Sequence, residues 1–291
     1  MKIMAVKIME VAKMGVKTIT IEKMIKAICA WLCVVGVAFG AIDDFKTASW
    51  NLQGSSATSE SKWSVSVRQL ISGENAADIL ALQEAGSLPQ TATPTQRTFQ
   101  TPQGIPIAEY TWDLGSRSRP DMVYIYYSPV DVGANRVNLA IVSRRRADDV
   151  IVLPPPTTVS RPIIGIRIGN DVFFSIHALA NGGRDAPAIV NSVFNHFRGQ
   201  SNVNWMILGD FNRSPASLRL ELNLETRVRT AIVAPNIATQ RSGGILDYAV
   251  IGNSGSGFRE PLIAAVLMLA NFRTQLVSDH FPVNFRRFPP N

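Results

Sequence analysis

His177 and His280 are the residues of this chain best suited to chemistry, because histidine is the proton carrier near neutral pH and the chain has only three of them. His177 closes the apolar run Val-Phe-Phe-Ser-Ile, and His280 follows Asp279 and leads into Phe-Pro-Val-Asn-Phe. His196 has no such setting and reads as a helix-surface residue. Asp210 and Asn212 stand two apart in Leu-Gly-Asp-Phe-Asn-Arg-Ser-Pro. In extended chain they point the same way, so one can accept a proton or hold a cation while the other donates to a phosphate. The bland alternative is an Asx-rich turn running into a helix after Pro215. Asp247 lies in the apolar stretch Gly-Gly-Ile-Leu-Asp-Tyr-Ala-Val. A buried acid needs a partner, and a histidine is the obvious one. Glu84 follows the buried-type run Ile-Leu-Ala-Leu-Gln and suits a hard cation such as magnesium. The amide of Asn51 can orient a cation-bound water or a phosphate oxygen. Taken alone, Glu84 also reads as a surface glutamate at a strand end, and Asn51 as a turn residue. Together these groups suit hydrolysis of a phosphate ester.

The segments that must position them read mostly as strands. Apolar runs of strand length lie at 45–52, 78–83, 122–127, 137–143, 163–168, 172–177, 205–208, 246–251 and 282–285, and helical patterns at 61–71, 186–197, 217–222 and 261–272. Asn170-Asp171 reads as a hairpin turn, and Pro154-Pro155-Pro156 as an exposed loop. Glu84, His177 and Asp210 each stand at the end of an apolar strand. Strand ends that converge on one sheet edge are where α/β enzymes place their chemistry. An α/β sandwich with two central sheets accommodates this many strands with few helices.

With 291 residues, 46% of them hydrophobic, the chain can bury one large core. It shows no internal repeat and no structureless linker, so residues 41–291 are expected to form one domain. Residues 1–40 differ in kind. Ala27–Gly40 reads AICAWLCVVGVAFG after Lys23 and Lys26 and ends in a small-x-small pattern. It is shorter than the roughly 20 apolar residues a bilayer span needs, so it reads as a secretory leader, with Met24 as an alternative start. The other reading is an amphipathic helix that stays on the protein. Six lysines against Glu10 and Glu22 give the leader +4, so the formal +7 falls to +3 without it. What remains holds 21 arginines but only Lys46 and Lys62. Guanidinium forks match phosphate oxygens, although Arg144-Arg145-Arg146 reads as a solvated loop. Both cysteines, Cys29 and Cys33, fall in the leader. The rest of the chain can therefore form no disulfide, whether internal or to a partner, and offers no thiol ligand or nucleophile.

The order Asn51, Glu84, His177, Asp210-x-Asn212, Asp247, Asp279-His280 resembles the deoxyribonuclease-I-like superfamily of endonucleases, exonucleases and phosphatases. The resemblance is strongest to its branch of cytolethal distending toxin B subunits. It runs from about Phe45 to Phe288 through Ser49-Trp-Asn-Leu-Gln-Gly-Ser-Ser, Ser61-Lys-Trp, Gln83-Glu-Ala-Gly, Tyr124-Ile-Tyr-Tyr-Ser, Asn135-Arg-Val-Asn-Leu-Ala-Ile-Val-Ser, Ser160-Arg-Pro-Ile-Ile-Gly-Ile, His177-Ala-Leu-Ala and Ser278-Asp-His-Phe-Pro-Val. It implies a four-layer α/β-β/α sandwich with two central mixed sheets. Glu84 would be the principal magnesium ligand, with Asn51 and Asp279 nearby and calcium or manganese as alternatives. His177 and His280 would transfer protons, with acid and base roles unassigned, and Asp247 would orient His280. Asp210 and Asn212 would address the scissile phosphate or the attacking water, while Arg136 and Arg161 grip substrate phosphates. The implied activity is magnesium-dependent nicking of target-cell DNA by a secreted toxin component, acting in the nucleus and delivered by separate cell-binding subunits. A phosphoinositide phosphatase using the same site, or a non-catalytic scaffold that binds the partner subunits, is the alternative.

Overall fold

The computed structural model describes residues 42–54, 62–73, 76–130, 135–255, 258–268 and 278–288. The leader expected over residues 1–40 lies outside them. Among the described residues no helix is long and apolar enough to cross a membrane.

The strands are β1 Thr47–Asn51, β2 Ile79–Gln83, β3 Thr93–Pro94, β4 Ala108–Asp113, β5 Met122–Ser128, β6 Leu139–Ser143, β7 Asp149–Leu153, β8 Ile163–Ile168, β9 Asp171–His177, β10 Asn204–Asp210, β11 Thr230–Val233, β12 Asp247–Asn253, β13 Ile263–Leu267 and β14 Val283–Arg287. A π-helical turn, Lys62–Val67, continues into α1 Arg68–Ile71; α2 is Ala186–His196, α3 Pro215–Glu221 and α4 Leu224–Val228. One mixed sheet runs β13-β14-β1-β2-β6-β5-β4-β3 and the other β11-β12-β10-β9-β8-β7.

Strand period puts successive side chains on opposite faces, and both faces are used. From the central strands, Met206, Leu208, Phe173, Ile79, Ala81 and Ile141 fill the space between the sheets. Their neighbours Trp205, Ile207, Phe174 and Ile176 face outward against Ile189, Val190, Val193 and Phe194 of α2. On the other side Ala48, Trp50, Leu80 and Leu82 meet Trp63, Val67 and Leu70. Burial on two faces explains why these strands read as continuous apolar runs. Each fully buried Phe or Leu contributes on the order of 2 kcal/mol. The layering is the expected α/β-β/α sandwich.

Three expectations are corrected. The pattern at 261–272 is not a helix over its described part: Ile263–Leu267 is strand β13, paired antiparallel with β14. Its apolar residues are spaced like a helix, but tertiary pairing at a sheet edge decides the conformation. The β8–β9 turn is Gly169-Asn170, one residue earlier than expected. Ile168 pairs with Asp171, and Gly169 takes the positive φ of 63° that the tight turn needs. The arginines at 144–146 are engaged rather than simply solvated. Arg144 donates to both carboxylate oxygens of Asp121, Arg146 to the buried Glu109, and Arg145 lies over the Phe45 ring.

Candidate active site

Register brings three acid–base groups into one row. β9 and β10 are parallel with His177 opposite Asp210, and β12 runs antiparallel with Asp247 opposite Asp210. The other sheet ends beside this row. There β1 and β2 are parallel with Asn51 opposite Gln83, so Glu84 is the first residue beyond the strand. The segment before β14 supplies Asp279 and His280. Neither sheet holds the whole set. Gln83 stitches the two together by donating to Ser175 Oγ (3.1 Å), which donates to Leu82 O (3.0 Å).

The contacts centre on one oxygen. Asp210 Oδ2 lies 3.6 Å from His177 Nε2 and 3.7 Å from His280 Nε2. It accepts from Asn51 Nδ2 at 3.0 Å and Asn212 Nδ2 at 3.3 Å. Asn212 arrives by a different route from the one expected. The chain leaves extended geometry, Asn212 takes φ of 49°, and its backbone N–H donates to Asp210 Oδ1 at 2.8 Å. The Asx turn and the functional pair are therefore one structure. Ser214 then caps α3 by accepting from Ser217 N, with Pro215 at the first helical position.

His280 Nδ1 is 2.8 Å from Asp247 Oδ2, which is the partner Asp247 requires. Thr239 Oγ1 accepts the backbone N–H of Asp247 at 3.0 Å. Ser278 Oγ accepts from His280 N at 3.1 Å and donates to Asn51 O at 2.8 Å. Burial works against a charged His280. The hydrogen bond and charge of Asp247, with Asp210 and Asp279, outweigh it and raise the ring to about 9. Burial pushes Asp247 up, and His280, 2.8 Å away, pulls it back. His177 is the opposite case. Burial, then the charges of Arg161 and His280, push it well below the ordinary histidine value, so it is neutral. Burial and the nearby Asp247 charge lift Asp210 to about 7 against His280 and its hydrogen bonds.

Glu84 holds a left-handed φ of 47°, strain of a kind that clusters at functional sites. Its Oε1 is 3.8 Å from His177 Nε2 and accepts from Asn51 Nδ2 at 3.2 Å. Asn51 presents its amide nitrogen to both carboxylates, while its Oδ1 accepts from Gln53 N. The side chains of Glu84 and Asp279 are 19% and 40% exposed, against 2% for Asp210, so these two acids reach solvent. Carboxylate oxygens of this kind fit a hard cation. Asp210, Asp247 and His280 also cluster closely enough for metal ligation. In the same trio Asp247 Oδ2 faces His280 Nδ1 at 2.8 Å, an arrangement that also suits proton transfer.

Arg161 Nη1 donates to the carbonyls of His177 (2.9 Å) and Ala178 (3.0 Å). Arg136 is exposed, two residues before Asn138, whose carbonyl accepts from Ala85 N. His196 is exposed on α2. Sequence reasoning missed Lys62, Gln53, Thr239 and Ser278 as supports of the site. All but Thr239 lie in the segments that carry the family resemblance, but nothing in those segments points to a supporting role.

The profile of the endonuclease/exonuclease/phosphatase family matches residues 48–280. The cytolethal distending toxin B subunit of Escherichia coli is 54% identical over 251 residues, 84% of this chain and 93% of that protein. A homolog of the same protein from Salmonella typhi is 53% identical, covering 89% of this chain and 94% of its own. The crystal structure of the Haemophilus ducreyi cytolethal distending toxin aligns with a TM-score of 0.81 at 54% identity, over 86% of this chain and all of the matched one.

Proposed function

Because this chain belongs to the endonuclease/exonuclease/phosphatase family and, within it, to the cytolethal distending toxin B subunits, we propose that it nicks double-stranded DNA of a target cell in a reaction that needs a divalent cation. The convergence of His177 Nε2 and His280 Nε2 on Asp210 Oδ2, at 3.6 and 3.7 Å, carries this reading. It puts one charged and one neutral histidine around one carboxylate whose proton affinity is tuned close to neutral.

Protonated His280, held in orientation by Asp247, donates its Nε2 proton to the leaving oxygen. Asp210 and neutral His177 form the acceptor side, where the attacking water loses its proton. The amides of Asn51 and Asn212 orient the phosphoryl oxygens. Arg136 and Arg161 hold flanking phosphates, and Arg161 also fixes the His177 backbone. Glu84 and Asp279 would hold the cation, magnesium first, which stabilises charge developing on the phosphoryl oxygens. In the same reading residues 1–40 export the chain, and separate cell-binding subunits deliver it to the target cell.

The test is relaxation of supercoiled plasmid with magnesium, with chelator, and by His177→Ala. Nicking is expected to require the metal and to fall at least about 100-fold in the variant, the usual scale of lost acid–base catalysis. Folded protein that leaves plasmid intact but releases phosphate from a phosphoinositide would replace DNA as the substrate. Neither activity would overturn the catalytic reading.

A further inference from the structure

Lys62 opens the π-helical turn and is only 5% exposed. Its ammonium donates to Leu52 O at 2.9 Å and Gln53 O at 2.7 Å. An ammonium so placed gives up most of its hydration, and the turn it grips explains what that achieves. Gln53 sits at a left-handed φ of 48°. The next backbone N–H, that of Gly54, donates to Glu84 O at 2.8 Å, and a side chain at 54 would collide with that carbonyl. Gln53 Oε1 accepts the backbone N–H of Asp279 at 3.1 Å. Asn51, at the head of the turn, donates to Glu84 Oε1. One four-residue turn thus tethers both solvent-reaching carboxylates. Lys62 also feels their charge: burial lowers its proton affinity, and Glu84 and Asp279 pull it back. The helix does not need Lys62 to stay in place, since Trp63 Nε1 donates to Ala85 O at 2.9 Å and Trp63, Val67 and Leu70 are core residues.

We propose that Lys62 is the positioning residue of the cation site, clamping the 51–54 turn so that Glu84 and Asp279 are presented together. This rests on the reading that those two carboxylates hold the divalent cation. Support of this kind, one step behind the ligands, is typically worth 10–100-fold in metal affinity.

The test is Mn2+ binding, followed by electron paramagnetic resonance on purified metal-free protein. Lys62→Met is expected to bind Mn2+ at least about tenfold more weakly than the native protein. Lys62→Gln, which keeps an N–H donor, should fall between them. The magnesium concentration for half-maximal nicking should rise in parallel, while KM for plasmid at saturating magnesium stays unchanged, a split that general damage to the fold would not produce. Unchanged Mn2+ affinity in Lys62→Met overturns the proposal. So does tighter binding, which would make the ammonium only a repelling charge. If Lys62→Met does not fold, exposed Gln53→Ala decides, with weakened binding expected and native affinity overturning it. No Mn2+ binding by the native protein would sink the cation reading itself.

Discussion

At the scale of single residues, the two histidines owe opposite charge states to their neighbours. His177 Nδ1 is buried without a hydrogen-bond partner, whereas His280 Nδ1 faces a carboxylate. The folded His280 titrates near 9 against an ordinary value of 6.5. A raised folded value means the stabilisation is fully present below about 6.5 and is lost as pH rises through about 9. The melting temperature of metal-free protein should therefore fall across that window, by the equivalent of at most about 3 kcal/mol. His280→Gln should flatten the decline, and an unchanged slope would disprove the assignment. The partnership was legible beforehand, because an acid within an apolar strand has few stable solutions. Lys62 was not legible. Its role depends on a turn that crosses two loops with left-handed backbone at Gln53 and Glu84, and no local pattern announces that crossing.

At the scale of elements, the spacing of strands sets the spacing of the acid–base groups. Gly209 stands between Leu208 and Asp210 on β10, where an added Cβ would run into the backbone carbonyl of Ile176 on β9. Gly209→Ala must push apart the two strands that align Asp210 with His177. We expect a lower melting temperature together with at least about tenfold loss of nicking in the fraction that remains folded, since small misplacements of catalytic groups are costly. Native activity in this variant would show that the strand spacing is not limiting. Central strands such as β9 and β10 were readable because both faces are buried. The edge strands β3, β7, β11 and β13, together with β4, were not. β4 mixes half-buried with buried residues and has no continuous apolar run, whereas β7 and β13 carry the runs Val-Ile-Val-Leu and Ile-Ala-Ala-Val-Leu but are buried less evenly, with Asp149 and Val266 exposed.

At the scale of the whole molecule, the excess of arginine over lysine bears on how a polyanion is held. Several arginines are engaged internally, on Asp121, Glu109, Glu221 and Glu225. Arg136 is exposed near the loop that follows Glu84. If it contacts a DNA phosphate, Arg136→Ala should weaken DNA binding and reduce the slope of log affinity against log salt by about 1. An unchanged slope would remove it from the interface. The division of the site between the two sheets has a consequence for the life of the chain. Asn51, Glu84, Asp279 and His280 come from one sheet, and His177, Asp210, Asn212 and Asp247 from the other. The first and last of these residues in sequence are 229 positions apart, since β1 ends at Asn51 and His280 precedes β14. A nascent or partly folded chain thus holds no complete set, and phosphodiester hydrolysis has to wait until the last strand has been made and both halves have closed.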